Sequence, residues 1–433
     1  AVNPVKKKGK GLKGYGSVSE VQFFRGGALR INLNELRDFN FNIFYSDNYY
    51  DASSNILSGD VQSFYTDGYH RTTTEIQRKN SVKERLIGGR ISYEKGSYRF
   101  GATYWQSKFS KNVARDSSLI LHKFSGDRAN LAGADYDIIT KNMNFFGEFA
   151  LTQTSALASV NGVLLTFLKI ADVIFSYRNY PADFTPLHSF GFSERGETYN
   201  ERGFYAGILF RPLKGLIINS YFDQYKFPYR TYFNPVPVSG NDFLTYAEWK
   251  IAKGLLLNLK YKNENKEESQ NFIGTEGREQ KTIVNRNQMN IRTGFIYQLK
   301  NNFRFRSRFE YVNVEYKNFS GNNKGYLFYS DIRFIPLKKM TFDTRFIFFN
   351  TDSYDSRIYE FENDIQGVMS NVPLYGEGRR WYIVLKYRPF PFISISAKYA
   401  ETFFDGVKSI GSGNDKVEGD VINRLSLGME AGF

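Results

Sequence analysis

Apolar and polar residues trade places at every second position in this chain, in one stretch after another, down to its last residues. Asn301–Tyr316 reads NNFRFRSRFEYVNVEY, with Arg304, Arg306 and Arg308 on one parity and Phe303, Phe305, Phe309 and Tyr311 on the other. A period of two belongs to a strand, whose successive side chains point to opposite faces; a helix would scatter these residues around its circumference. The pattern returns in GLLLNLKYKNE, where Leu255, Leu257 and Leu259 oppose Asn258, Lys260 and Lys262. It returns in MTFDTRFIFF (Phe346 and Phe348 against Asp343 and Arg345), in WYIVLKYRP (Ile383 and Leu385 against Lys386 and Arg388) and in FISISAKYAETFF (Ile393 and Ile395 against Ser394, Ser396 and Lys398). Such a ribbon has one apolar face and one cationic face. The apolar face needs either a second sheet or lipid.

Strand length decides between them. About twenty stretches carry the pattern, among them 18–33, 66–79, 302–316, 356–369 and 421–433, each longer than the 5–6 residues usual in a sandwich. A membrane-crossing strand needs about 9–11. Short turns such as PLKG (212–215), AKG (252–254) and PLKK (336–339) alternate with long polar segments such as KNENKEESQNFIGTEGREQKTIVNRN. Short turns at one end and long loops at the other are the pattern of outer-membrane barrels. Mean hydropathy is −0.45 and no run of about 18 apolar residues occurs, so no helical span is expected. The expected fold is an all-β, transmembrane antiparallel β-barrel of about 18–20 strands over residues 18–433, with 1–17 a flexible basic N-terminal segment. The expected location is the bacterial outer membrane, with outer-membrane lipid around the barrel.

The closing stretch RLSLGMEAGF puts Leu425, Leu427, Met429 and Phe433 on one parity and ends on an aromatic residue. It resembles the terminal signal read by the bacterial barrel-assembly machinery, which makes that machinery an expected partner.

Little catalytic chemistry is legible. Cysteine is absent, which excludes disulfides and thiolate metal sites. The three histidines, His70, His122 and His188, show no metal-ligand spacing, and no nucleophile or phosphate-loop motif stands in the right context. The expectation is no enzyme, no cofactor and no metal. A calcium site in the acidic group Asp352, Asp355, Glu360, Glu362 and Asp364 is weighed against a plainer reading, in which these carboxylates pair with interior arginines. The segment KFPYRTYFNPVPVSGND, with three prolines, should leave the sheet.

Net charge is +14, and Lys260, Lys262, Arg304, Arg306, Arg308, Arg345, Lys386, Arg388 and Lys398 share the polar parity of their strands. A barrel lined by them is expected to be a pore or conduit with a basic lumen, drawing anions or a polyanion such as DNA. The alternative is a non-conducting scaffold that holds a partner envelope protein at the outer membrane.

Several stretches are more specific than barrel pattern alone. They include GLKGYGSVSEVQFFRGGAL (11–29), FYSDNYYDAS (44–53), FSYRNYPADFTPLHSFGFSERGETYNERGFYAG (175–207), NTDSYDSRIYEFENDI (350–365) and VKSIGSGNDKVEGDVINRLSLGMEAGF (407–433). Together they resemble the C-terminal barrel of large Bacteroidota-type helix-hairpin-helix domain-containing proteins, along nearly the whole chain. The resemblance implies a family chain that begins upstream of residue 1, with a DNA-binding helix-hairpin-helix segment ahead of the barrel. These 433 residues hold no such segment, so an association with DNA handling comes from the resemblance alone.

Overall fold

A computed structural model describes residues 5–6, 11–14, 23–114, 122–274, 276–317, 319–411 and 416–432. Among them, twenty strands pair into one sheet that is antiparallel except for a single parallel bridge between Val61 and Val113. Neighbours in sequence are neighbours in the sheet: Phe39–Ser54 pairs with Val82–Lys95, that with Tyr98–Val113, and that with Gly126–Ile139. Leu255–Ile273 to Val421–Ala431 continue the same up-and-down order. The short turns do what their glycines permit: Gly215 and Gly254 sit at φ 85° and 81°, left-handed values that L side chains rarely adopt.

The chain divides into two compact units, Ala1–Leu209 with Phe222–Asn241, and Phe210–Tyr221 with Asp242–Phe433. Both units have the same two-faced strands. In the second, Phe328, Phe334, Phe346, Phe348, Ile383 and Ile395 stand exposed on one face of the sheet, as do Leu257 and Leu259. In the first, Ile87, Tyr104, Phe149, Phe175 and Phe204 do the same. Exposed apolar rows on strands of 10 residues and more make sense only against hydrocarbon, where each strand's backbone is satisfied by its neighbours. The fold is a transmembrane antiparallel β-barrel of the outer-membrane type. Among the described residues no helix is long and apolar enough to cross a membrane.

Four expectations fail instructively. Residues 66–79 are not a strand. They form a loop and the short helix Thr73–Arg78, started by a capping box between Thr72 and Glu75. The 356–369 stretch is not a wall strand either: Ile358–Glu362 pairs with Ser370–Leu374 as a separate two-stranded hairpin. Conversely, Gly126–Ile139 is a full strand that alternation does not reveal, because GDRANLAGADYDII puts alanine, glycine and asparagine where a lipid face would read apolar. The long polar segment after Asn263 also keeps its ladder, since Leu255–Ile273 and Glu279–Leu299 stay in register up to Ile273 opposite Glu279.

Of the N-terminal segment, Val5 is buried and Lys6 donates to Asp137 at 2.8 Å and to Asn144 at 2.9 Å, so these two residues are held against the first unit.

Candidate functional site

The strand that carries three arginines supplies one wall of the site. In Phe303–Tyr316 the even parity points to the polar face, and register sets each arginine opposite a defined neighbour: Arg306 faces Asp331, and Asp331 faces Arg345 on the next strand. Asp331 accepts from Arg306 and, at 2.8 Å, from Arg345. Arg333 holds Asp343 through two bonds of 2.6 and 3.1 Å, and Arg292 holds Glu310 through two of 2.6 and 3.0 Å. Toward the loop end the same face turns apolar, with Val312, Val314, Leu327, Ile347 and Phe349 packed together.

The hairpin of Ile358–Glu362 and Ser370–Leu374 lies on this wall. Its buried parity is Ile358, Glu360 and Glu362, and its other parity is exposed at Tyr359 (44%) and Phe361 (60%). Ile358 and Leu374 are seated in the apolar cluster, where each buried side chain contributes about 1.5–3 kcal/mol. Beyond that seat the contacts are ionic. Glu360 accepts from Arg308 at 2.7 Å and from Arg345 at 2.9 Å. Glu362 accepts from Arg380 at 2.6 and 2.9 Å, and from Lys398 at 2.9 Å. Asp364 accepts from Lys398 at 2.7 Å. Arg345 also donates to the Phe361 carbonyl at 2.8 Å, which fixes the hairpin backbone.

The two glutamates differ although they share a face. Burial pushes the Glu360 carboxyl above its ordinary range, against the pull of Arg308 and Arg345. Glu362 is as deeply buried, yet the bonds from Arg380 and Lys398 outweigh the loss of solvent and hold it below that range.

The predicted basic residues therefore have different fates. Arg306, Arg308, Arg345 and Lys398 are ion-paired, and Lys262 sits 3.1 Å from Asp242 and 2.7 Å from Glu264. Arg304 reaches Asp331 only at 4.0 Å, and its register neighbour is Arg333. Among the described residues no carboxylate lies within 4.0 Å of Lys260, Lys386 or Arg388. Of the acidic group, Glu360, Glu362 and Asp364 converge on the wall. Asp352 instead accepts from the Lys324 amide at 2.8 Å, and Asp355 from the Tyr316 hydroxyl at 3.1 Å. Among the described residues no group of three potential ligands is placed to hold a metal ion. Leu425, Leu427 and Met429 are exposed on the apolar face of Val421–Ala431, and Phe433 lies outside the described residues.

The first unit has its own inward segment, the 181–200 loop, which carries His188, one of the three histidines considered above. Its Phe184 is fully buried and its His188 Nε2 lies 2.8 Å from the Glu84 carboxylate. Glu84 also accepts from Ser107 at 2.5 Å and from Tyr50 at 3.0 Å, so Ser107 donates to the acid and not to the histidine. That order does not match a nucleophile–base–orienter relay. On another strand of the same unit the buried Arg178 binds Glu201 at 2.5 Å and Asp223 at 2.7 Å, and Glu201 in turn accepts the Glu194 amide at 3.0 Å. Burial against the Phe227 ring, 3.7 Å away, pushes the loop's Arg195 below the usual arginine value. His70 lies 2.6 Å from Asp51, and His122 packs edge-on to Tyr229. The segment after Phe227 leaves the sheet, and pairing resumes at Val238.

No family model matches the chain, and no curated protein does. Solved structures resemble it at a distance. OccK8 (OprE) of Pseudomonas aeruginosa is 10% identical with a TM-score of 0.37, over 91% of this chain and 98% of that one. The outer membrane channel DcaP of Acinetobacter baumannii is 10% identical with a TM-score of 0.36, over 82% and 99%. A loop L8 deletion mutant of OmpT, an outer membrane protein of Vibrio cholerae, is 8% identical with a TM-score of 0.37, over 78% and 99%. Likeness at this level carries no argument about function.

Proposed function

We propose that the chain is a non-enzymatic outer-membrane pore whose interior prefers small anions. The observation that carries the reading is the imbalance of charge on the polar face of the second unit. Glu310, Asp331, Asp343 and Glu360 there are held by arginine, while Lys260, Lys386 and the loosely held Arg304 have no such close carboxylate among the described residues. A cation on a low-dielectric wall acts on a passing ion far more strongly than one in bulk water. Purified protein in a planar bilayer under a KCl gradient is expected to reverse on the anion side. A reversal potential on the cation side would refute the preference.

A second reading, a closed scaffold, is favoured by one feature: an inward segment in each unit is fastened to its wall, by buried ion pairs of Glu360 and Glu362 in the second unit and by His188 on Glu84 in the first. Absence of any conductance would favour it. Passage or binding of DNA has support only from the family resemblance and is not part of the proposal.

A further inference from the structure

We propose that the 358–374 hairpin is the element that sets the ion selectivity of the pore, by masking part of a cationic wall. The inference rests on the pore reading above and adds to it a named determinant.

Three features carry it. First, the hairpin's acidic side chains are spent on the wall. Glu360, Glu362 and Asp364 have side-chain exposures of 2%, 0% and 8%, and every one of them touches a wall cation at less than 3 Å. Second, the masked cations are a contiguous set. Register places Arg380 beside Ile347 and Lys398 beside Val384, and these strands follow directly on the one that carries Arg345. Arg308, Arg345, Arg380 and Lys398 thus lie under one hairpin, and without it they would stand on the polar face beside Arg306 and Arg333. Third, the hairpin presents no carboxylate of its own to solvent. The side turned away from the wall shows Tyr359 and Phe361. The net effect of seating it is to replace a patch of positive charge by an aromatic surface, leaving anion preference to Lys260, Arg304 and Lys386 outside its footprint.

A hairpin that acted only as an obstruction would change conductance when loosened but leave the sign of selectivity where it was. A charge mask makes signed predictions. Replacing the acids removes negative charge and uncovers the wall (E360Q/E362Q/D364N). Replacing one wall cation does the opposite, because Glu362 and Asp364 lose a counter-charge while Arg380 still holds Glu362 in place (K398M).

The test is the reversal potential of the full chain in planar bilayers under a KCl gradient. The acid-replaced protein should shift toward the anion side, with a severalfold rise in chloride-over-potassium permeability, and K398M should shift toward the cation side. If the triple variant fails to fold, Glu360→Gln alone decides, since Arg345 keeps Asp331 and the expected shift has the same sign. Conductance that rises with no movement of the potential would overturn the proposal in favour of a simple obstruction. Potentials that move in the wrong direction would overturn it as well. An unmodified protein that conducts nothing would overturn the pore reading itself, and the mask with it.

Discussion

Arg345 is the residue whose loss should tell most about how the wall holds together. Its side chain is fully excluded from solvent, with Nη1 on Glu360 at 2.9 Å, Nη2 on Asp331 at 2.8 Å and the guanidinium 4.1 Å over the Tyr329 ring. Arg345→Met keeps the length and apolar contact of the stem and removes the charge. Breaking a buried ion pair from one side costs about 3–5 kcal/mol, because the partner is left charged and dry. Here the lower end applies: Glu360 retains Arg308 at 2.7 Å and Asp331 retains Arg306. The expected loss is about 3 kcal/mol, roughly a hundredfold in the folding equilibrium. Reversible urea unfolding in lipid vesicles, followed by tryptophan fluorescence, measures it. The same substitution made in an E360Q background should cost less, with a coupling of about 0.5–3 kcal/mol, because one of the stranded carboxylates is gone. A loss under about 1 kcal/mol, or costs that simply add, would refute the claim that the hairpin is held through this arginine.

The neighbouring position tests the opposite face. Phe346 stands 48% exposed, so Phe346→Arg should cost about 2–4 kcal/mol near the bilayer midplane, and a folding yield in vesicles equal to that of Phe346→Leu would count against its facing lipid. The hairpin glutamates predict a pH dependence with a definite sign. Glu360 titrates above its ordinary value of 4.5 and Glu362 below it, so between those two points Glu360 is neutral while Glu362 still holds Arg380 and Lys398. The stabilisation from Glu362 is complete above its ordinary value and is lost only as pH falls through its depressed one. Within the interval Arg308 and Arg345 lose a counter-charge, next to Arg292 and Glu310, and anion preference should rise as the solution is acidified. In E360Q this step should be absent, and its persistence there would assign it to another group.

Strand facing was the legible part of this fold, because a period of two survives in the side chains of each strand by itself. Phe309, Phe346 and Ile395 fall outward and Arg308, Arg345 and Lys398 inward, as their parity requires. Alternation does not say what a strand is paired with. RIYEFEND alternates as well as any wall strand, yet its even parity is Ile358, Glu360 and Glu362, laid on a wall, and its odd parity meets solvent. A hairpin on a polar wall and a strand in lipid impose the same period with opposite chemistry on the buried face. The one available signal was that its regular parity held two acids and no aromatic. The strand Gly126–Ile139 failed for the reverse reason: one parity carries Asn130, Ala132 and Ala134 in its middle, too little apolar bulk for that face to stand out. The 181–200 loop has no period at all, and its half-buried His188 and buried Phe184 become informative only once Glu84 and the wall are in place.

Charge was the least legible property, and register explains why. Read singly, Phe303–Tyr316 is an arginine strand. Read across the sheet, Arg306, Asp331 and Arg345 form one row of alternating sign, and every charge in it is answered. One row away Arg304 meets Arg333, a like charge, and among the described residues the only carboxylate within reach of Arg304 is at 4.0 Å. Both rows lie on strands of similar composition, and shifting one strand by two residues would set Arg304 opposite Asp331 and leave Arg306 opposite Tyr329. Selectivity in such a barrel is therefore a property of register and of whatever segment is laid over the wall. The total of 58 basic and 44 acidic residues bounds it without locating it. A chain with the same net charge but with Asp331 and Arg333 exchanged would put the uncompensated charge at a different height. A swap variant, Asp331→Arg with Arg333→Asp, should shift selectivity at constant composition, whereas a potential unchanged by the swap would mean that net charge alone governs the pore.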